Sequence, residues 1–332
     1  MGDVAMSVPV LRSFVNQNPN VRITVLSRAF LKPLFNDIPN VSFYTADVEG
    51  IHKGFLGLKK LSDEILKLKI DAVADFHNVL RPKILRLFLS FSNIKIAVMN
   101  KGRAEKKALT RIQNKVFKQL RTTHERYADV LRNLGFEVEL SSYQFPEKTK
   151  IPVNTQELII KSGKIIIGIA PFAQYESKMY PLDLMEEVIK ELSNNFKYQV
   201  LFFGGGQKEI KLLNSFEEKY KNSISLAGKL NLEEELVLIS NLDCMVSMDS
   251  ANAHLAAIQG VKTITLWGVT HPFAGFYPFQ QPMKNALLPD LQKYPKIPCS
   301  VYGNKVCDGY KDIMRTIKPD QVIKKIEEVL KS

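Results

Sequence analysis

The stretch Asp249-Ser250-Ala251-Asn252-Ala253-His254-Leu255-Ala256-Ala257 carries the most informative chemistry in the chain. An apolar run ends at Met248, two capping residues follow, and small residues then open a helix. Free backbone N–H groups at such a start, with the helix dipole behind them, suit an anion such as a phosphate. On local pattern alone, Asp249 and Ser250 as readily do no more than cap a helix. Ala251 and Ala253 leave room for close approach; His254 alone is as readily a core histidine. The loop Ala170–Pro181 follows another strand-like run, at what would be the carboxyl edge of a sheet, where open α/β sheets bind ligands. Its one cation, Lys178, either neutralises a diphosphate or is a solvated surface lysine. Gly204-Gly205-Gly206 offers backbone donors after a third such run but lacks the GxGxxG spacing. Glu209, one helical turn on, either reaches ribose hydroxyls or is a first-turn helix acid. Near the start, Asp3 precedes an apolar helical run, as a helix cap or as a carboxylate that takes a proton from a substrate hydroxyl. From Lys101 to Arg121 there are eight basic residues and one acid, Glu105. Lys101, Arg103, Lys106 and Lys107 are its candidates for holding an anionic acceptor. The alternative is a solvated helix face, although no interspersed acids supply i,i+4 pairs.

Elements that could position these residues alternate along the chain in the βαβ manner of parallel sheets. In the first half, 21–26, 41–44, 72–75 and 94–98 read as strands, and helical periodicity fills 7–17, 56–69, 104–121 and 124–134. Residues 141–164, polar and with Pro146 and Pro152, read as an interdomain linker. The alternation then restarts: strand 165–170, helix 182–194, strand 199–203, helix 207–220, strand 244–248, helix 251–259 and strand 262–267. An amphipathic helix over 319–331 ends the chain. The expected fold class is α/β, with two doubly wound halves and a cleft between them. The first half departs from that plan, because it begins at the turn where a doubly wound domain begins with a strand.

Length and composition agree with this. At about 100–200 residues per domain, 332 residues accommodate two domains. Hydrophobic residues at 45% and charged residues at 24% exclude disordered and fibrous classes. The net charge of +12 is lopsided: residues 1–150 hold 25 basic and 14 acidic side chains, the remainder 21 and 20. A partner of the first half should therefore be anionic: a phosphorylated glycolipid, an acidic membrane surface or nucleic acid. Nucleic acid is the weakest of these, because no known nucleic-acid module is present. The three cysteines make no disulfide framework, so a reducing compartment is expected. Cys299 and Cys307 bracket seven residues without a histidine nearby, which points to thiols or an optional disulfide and not to zinc. No signal peptide opens the sequence, and the apolar run Ile84–Met99 is broken by Arg86 and Lys95.

Three motifs in order resemble glycosyltransferase family 9, the ADP-heptose:lipopolysaccharide heptosyltransferases. Gly2-Asp3-Val4 with Pro9-Val10-Leu11 is similar to the family's N-terminal Gly-Asp-Val…Pro-Ala-Leu, and Lys178-Met179-Tyr180-Pro181 to its Lys-x-Trp-Pro. Asp249–Ala257 followed by Leu266-Trp267-Gly268-Val269-Thr270-His271-Pro272 resembles its Asp-Ser/Thr-Gly-x-x-His…Phe-Gly-x-Thr-x-Pro signature. The resemblance implies a GT-B fold of two Rossmann-like domains facing a central cleft. An acceptor domain over 1–150 would precede a nucleotide-sugar domain over 151–318, and a C-terminal helix over 319–332 would pack back on the first. It further implies inverting transfer of heptose from ADP-L-glycero-D-manno-heptose to a lipopolysaccharide inner-core acceptor, without cofactor and usually without metal. Asp3 would be the catalytic base. Lys178, Asp249, Ser250, Ala251 and His254 would hold the donor, with Glu209 on its ribose. The setting would be cytoplasmic, peripheral on the inner face of the membrane. Another nucleotide sugar or surface glycan, or a silent nucleotide-sugar binder, are the alternatives. Two departures matter: Ala251 replaces the signature glycine, and the family's opening strand before Gly-Asp is missing here.

Overall fold

The computed structural model describes residues 1–151 and 163–331, so the middle of the expected linker lies outside the described residues. The chain forms two compact units. One comprises Met1, Asp3–Gly102 and Arg121–Gln144; the other comprises Gly2, Arg103–Leu120 and Phe145–Ser332.

The first unit begins with α1 (Gly2–Ala5) and α2 (Val8–Gln17), whose apolar face buries Val8, Val10, Leu11, Phe14 and Val15. Strands β1 (Ile23–Ser27) and β2 (Val41–Thr45) pair in parallel, then α3 (Gly54–Leu66) crosses to β3 (Ala72–Asp75). Helix α4 (Leu80–Leu89) leads to β4 (Lys95–Val98), which pairs in parallel with β3. α4 was not foreseen. Its leucines other than Leu80 fall within the long apolar run, which the structure divides between a helix, a turn and a strand. The four strands form two separate two-stranded ladders, β1–β2 and β3–β4, that are not hydrogen-bonded to each other. Most of their residues are only half buried. A two-stranded ladder leaves an unpaired edge on both sides and cannot cover both of its faces.

Next in the chain come α5 (Arg103–Thr110) and α6 (Thr123–Asn133). α6 belongs to the first unit and α5 to the second. The helix expected over 104–121 therefore ends at Thr110. Residues 111–120 leave it so that Leu120 can pack with Leu109 and Ala274, its N–H donating to the Phe273 carbonyl.

The second unit is built on a six-stranded, all-parallel sheet. Its elements are β5 (Ile165–Ala170), α7 (Leu182–Asn194), β6 (Tyr198–Phe202), α8 (Gln207–Lys219), β7 (Ser223–Ser225), α9 (Leu232–Ser240), β8 (Cys244–Met248), α10 (Ala251–Ile258), β9 (Thr263–Leu266), β10 (Ala286–Leu287) and α11 (Pro319–Lys331). Helices on both faces bury the strands, and every residue of β6, β8 and β9 is buried. Such strands read as continuous apolar runs, which is why these were legible. β7, α9 and β10 were not, because β7 and β10 are too short to show a period. α9 instead begins at a capping box, Asn231 with Glu234. Residues 319–331, for which the resemblance implied packing back on the first domain, bury Val322, Ile326 and Val329 in the second unit's core with α7 and β8.

The order is β10-β9-β8-β5-β6-β7. From β5 the chain winds outward through β6 and β7, returns to β8 on the other side, and winds outward again. The direction reverses between β5 and β8, the place at which open α/β sheets bind ligands outside the carboxyl ends of their strands.

Candidate active site

Two loops leave the sheet at this reversal. The one after β5 carries Lys178 on a 3-10 turn (Glu176–Lys178), and the one after β8 carries Asp249 and Ser250. The Lys178 ammonium lies 2.9 Å from Asp249 Oδ2, both side chains largely buried. Thr270, in the loop after β9, donates its hydroxyl to the same oxygen at 3.0 Å. Lys178 is therefore no solvated surface lysine. Its cation is held at the sheet edge by a carboxylate that a third loop fixes in place.

The surrounding chain enforces this placement. Tyr180 is completely buried, with its hydroxyl donating to the Ile317 carbonyl and its backbone N–H directed at Met248 Sδ. Burial pushes that phenol well above the usual tyrosine range. The Val269 N–H donates to the Ser177 carbonyl, which tethers the Lys178 turn to the loop after β9. Gly268 permits that approach, because a Cβ there would collide with the Ser177 carbonyl oxygen. Gly303, at φ +88°, lies against the Lys178 stem and leaves no space for a side chain, while Ser177 Oγ donates to its carbonyl. Cys299 and Cys307 form a disulfide in the segment leading past this glycine, so the optional pairing is the one adopted.

Ser250 is the N-cap of α10, in extended backbone, and its hydroxyl meets that of Ser247 at 3.1 Å. It makes no side-chain cap to its own helix. The Ser250 side chain thus leaves the first-turn N–H groups of α10 without a cap of its own. Ala251 is the first residue of that helix, with no positive φ, so replacing the signature glycine imposes no backbone strain. His254 is buried one turn in. Glu209 Oε2 accepts the Gly205 N–H at 2.8 Å, so it caps its own glycine turn.

Asp3 lies in α1, exposed, and its carbonyl accepts the buried Tyr127 hydroxyl at 3.2 Å. Of the basic candidates, Arg103 and Lys107 are exposed on α5 and Lys101 is half buried before it. Lys106 differs from them: it is buried, with its ammonium 4.3 Å from the centre of the Phe276 ring, where it braces α5. Sequence reasoning missed Thr270 as the anchor of Asp249. Its signal was a hydroxyl two residues beyond a glycine after a buried strand. His271, beside it, is buried, with Nδ1 accepting the Phe273 N–H and with Phe117 packed on its ring. Burial, with a smaller effect of the Lys115 cation, pushes its pKa down from 6.5 to about 4. Among the described residues no group of three or more His, Cys, Asp and Glu side chains is placed to hold a metal ion.

The sequence profile of glycosyltransferase family 9 (heptosyltransferase) matches residues 59–303. The chain belongs to glycosyltransferase family 9. It is a glycosyltransferase enzyme of the heptosyltransferase group. It is 24% identical over 336 residues to the lipooligosaccharide heptosyltransferase 2 of Campylobacter jejuni, covering 99% of this chain and 96% of the relative. The crystal structure of a family 9 glycosyltransferase from Veillonella parvula superposes with a TM-score of 0.75 at 21% identity, covering 99% and 94% of the two chains. That of the Escherichia coli ADP-heptose lps heptosyltransferase II superposes at 0.67 and 18%, covering 98% and 94%. The fold of this family 9 enzyme is GT-B.

Proposed function

We propose that this family 9 enzyme transfers heptose from ADP-L-glycero-D-manno-heptose to a lipopolysaccharide inner-core acceptor with inversion. The observation that carries the reading is the Lys178–Asp249–Thr270 constellation at the sheet reversal, beside the start of α10. A nucleoside diphosphate leaving group develops negative charge as the anomeric bond breaks. A fixed cation and a set of helix N–H groups are suited to stabilise it. Lys178, Ser250, Ala251 and His254 take the donor, Asp249 holding Lys178 in register, and Glu209 reaches the ribose once it releases the Gly205 N–H. Asp3 removes the proton from the acceptor hydroxyl as its oxygen attacks C1 and ADP departs. Lys101, Arg103 and Lys107 meet the phosphorylated acceptor, and Lys106 supports their helix. The donor and acceptor follow those in the names of relatives, the Escherichia coli ADP-heptose lps heptosyltransferase II and the Salmonella typhimurium lipopolysaccharide heptosyltransferase 2. The reaction is expected to proceed in cytoplasm at the membrane face, without cofactor or metal.

The test is ADP release from ADP-heptose with a lipid A–Kdo acceptor, run beside other ADP- and UDP-sugars. Release confined to ADP-heptose plus acceptor supports the reading. Release with another sugar alone replaces the donor, and binding of ADP-heptose without any release favours a silent binder.

A further inference from the structure

Helices α3 and α4 pack together and bury Leu58, Leu61, Ile65 and Leu89 in the first unit's core. A second set of large apolar side chains points the other way. On α4 and the turn after it, Leu80 is 71% exposed, Leu87 53% and Phe91 84%. The spacing of seven puts Leu80 and Leu87 on one helical stripe, and Phe91 follows in the turn that ends the helix. At the start of α3, Phe55 and Leu56 are 59% and 81% exposed. The Phe55 ring meets that of Phe88 edge-on, centroids 4.9 Å apart, and so joins the two helices into one apolar patch. Single exposed leucines are ordinary, whereas a contiguous patch marks a docking surface.

The charge around the patch selects its occupant. Residues 50–66 and 79–95 contain seven Lys or Arg against two acids, Asp63, which pairs with Lys59, and Glu64, which meets His52 and Tyr44. Arg86 is drawn inward onto Asp75, which leaves Lys53, Lys60, Arg81 and Lys83 among those at the rim. A second copy of this chain would bring two such rims together, and their like charges would oppose the contact. An anionic bilayer complements both features, with phosphates for the cations and acyl chains for the apolar stripe. No helix among the described residues is long and apolar enough to cross a membrane, so contact of this kind is interfacial.

We propose that this α3–α4 face of the first unit docks on an anionic lipid bilayer. Phe55, Leu56, Leu87 and Phe91 enter the headgroup–acyl boundary, and the surrounding Lys and Arg side chains contact lipid phosphates. The inference deepens the proposed function, and rests on it only for what the docking serves: delivery of a lipid-borne acceptor.

The full chain is sedimented with vesicles of phosphatidylglycerol and phosphatidylethanolamine, and with vesicles of phosphatidylcholine alone. Binding to the anionic vesicles and not the zwitterionic ones is expected. Leu56→Ser with Phe91→Ser, and separately Arg81→Glu with Lys83→Glu, should each weaken it by about tenfold or more, as loss of two interfacial side chains implies. Unchanged binding by the charge variant, whose sites are solvent-exposed and tolerant, overturns the proposal even if the apolar variant fails to fold. Sedimentation velocity without lipid separates the protein alternative: a dimer that these substitutions dissociate, with vesicle binding retained, makes a second copy the occupant. ADP release with a deacylated, soluble acceptor should be the same in variants and wild type. If no sugar donor is turned over yet vesicle binding follows the pattern above, the functional reading fails and the docking surface stands.

Discussion

Lys178 and Asp249 form a largely buried pair, so each single substitution removes more than one interaction. Lys178→Ala deletes the cation proposed for the diphosphate and leaves Asp249 without its ion-pair partner. Breaking a buried pair on one side costs about 3–5 kcal/mol where desolvation is complete, and somewhat less at this partly open edge. ADP affinity should drop at least ~10-fold in calorimetry, alongside a lower melting temperature; an unchanged ADP dissociation constant would remove Lys178 from the donor site. Asp3→Asn should behave differently. Loss of a general base lowers the rate by about 10²–10⁴-fold, while ADP binding should hold, because Asp3 acts on the acceptor. A variant as active as wild type would end that assignment. Ala251→Gly should not raise activity, because the backbone at 251 is already helical.

At the scale of elements, the loop after β9 is the part whose pH behaviour can be stated. His271 is held neutral in the folded protein with its pKa near 4, against 6.5 for an ordinary histidine. Between those values the unfolded chain takes up a proton that the folded chain does not. The His271 contribution to stability should therefore fall as pH drops from about 6.5 to about 4, by roughly 2–3 kcal/mol, and level off below. Half-buried Glu235, whose pKa burial raises to about 7, contributes in the opposite direction over much of that window. His271→Asn keeps an acceptor for the Phe273 N–H and should flatten that part of the profile in denaturant titrations at stepped pH. A slope identical to wild type would assign the effect elsewhere. The Cys299–Cys307 bond closes a short loop beside Gly303 and the Lys178 stem. Closure of a loop this size stabilises by about 2–3 kcal/mol in the chain-entropy account. Reduction should lower the melting temperature and loosen ADP binding together, since the same segment backs Lys178.

The two units differ in how completely their sheets are covered. β5, β6, β8 and β9 are buried in a continuous six-stranded sheet, whereas β1–β4 lie half buried in two ladders. Opening free energy follows buried apolar contact and hydrogen-bond protection. Amides of β1–β4 should thus exchange with deuterium well before those of β6 and β8, and equal protection in the two sets would contradict this account. The central strands of the second unit were legible because a parallel strand covered on both faces has to be apolar throughout, whereas β7, α9 and β10 were not. The first unit was less so: α4 reads as part of one long apolar run, and 111–120 keeps helical periodicity although its side chains serve Phe273 and Ala274.

The sequence by itself determined the βαβ alternation and the surplus of positive charge in the first half, and it marked Asp3, Lys178 and Asp249 as candidates for chemistry. Those depend on residue type and local period, which a chain carries before it folds. It could not decide between a solvated Lys178 and a buried one, between Glu209 free and Glu209 on its own glycine turn, or between Lys106 as a ligand and Lys106 against an aromatic ring. Thr270 and Asp249 are 21 residues apart, and Lys178 and Asp249 are 71 apart. Only the order of strands in the sheet brings them to one edge, because a parallel sheet sets side by side the carboxyl ends of strands that are distant along the chain.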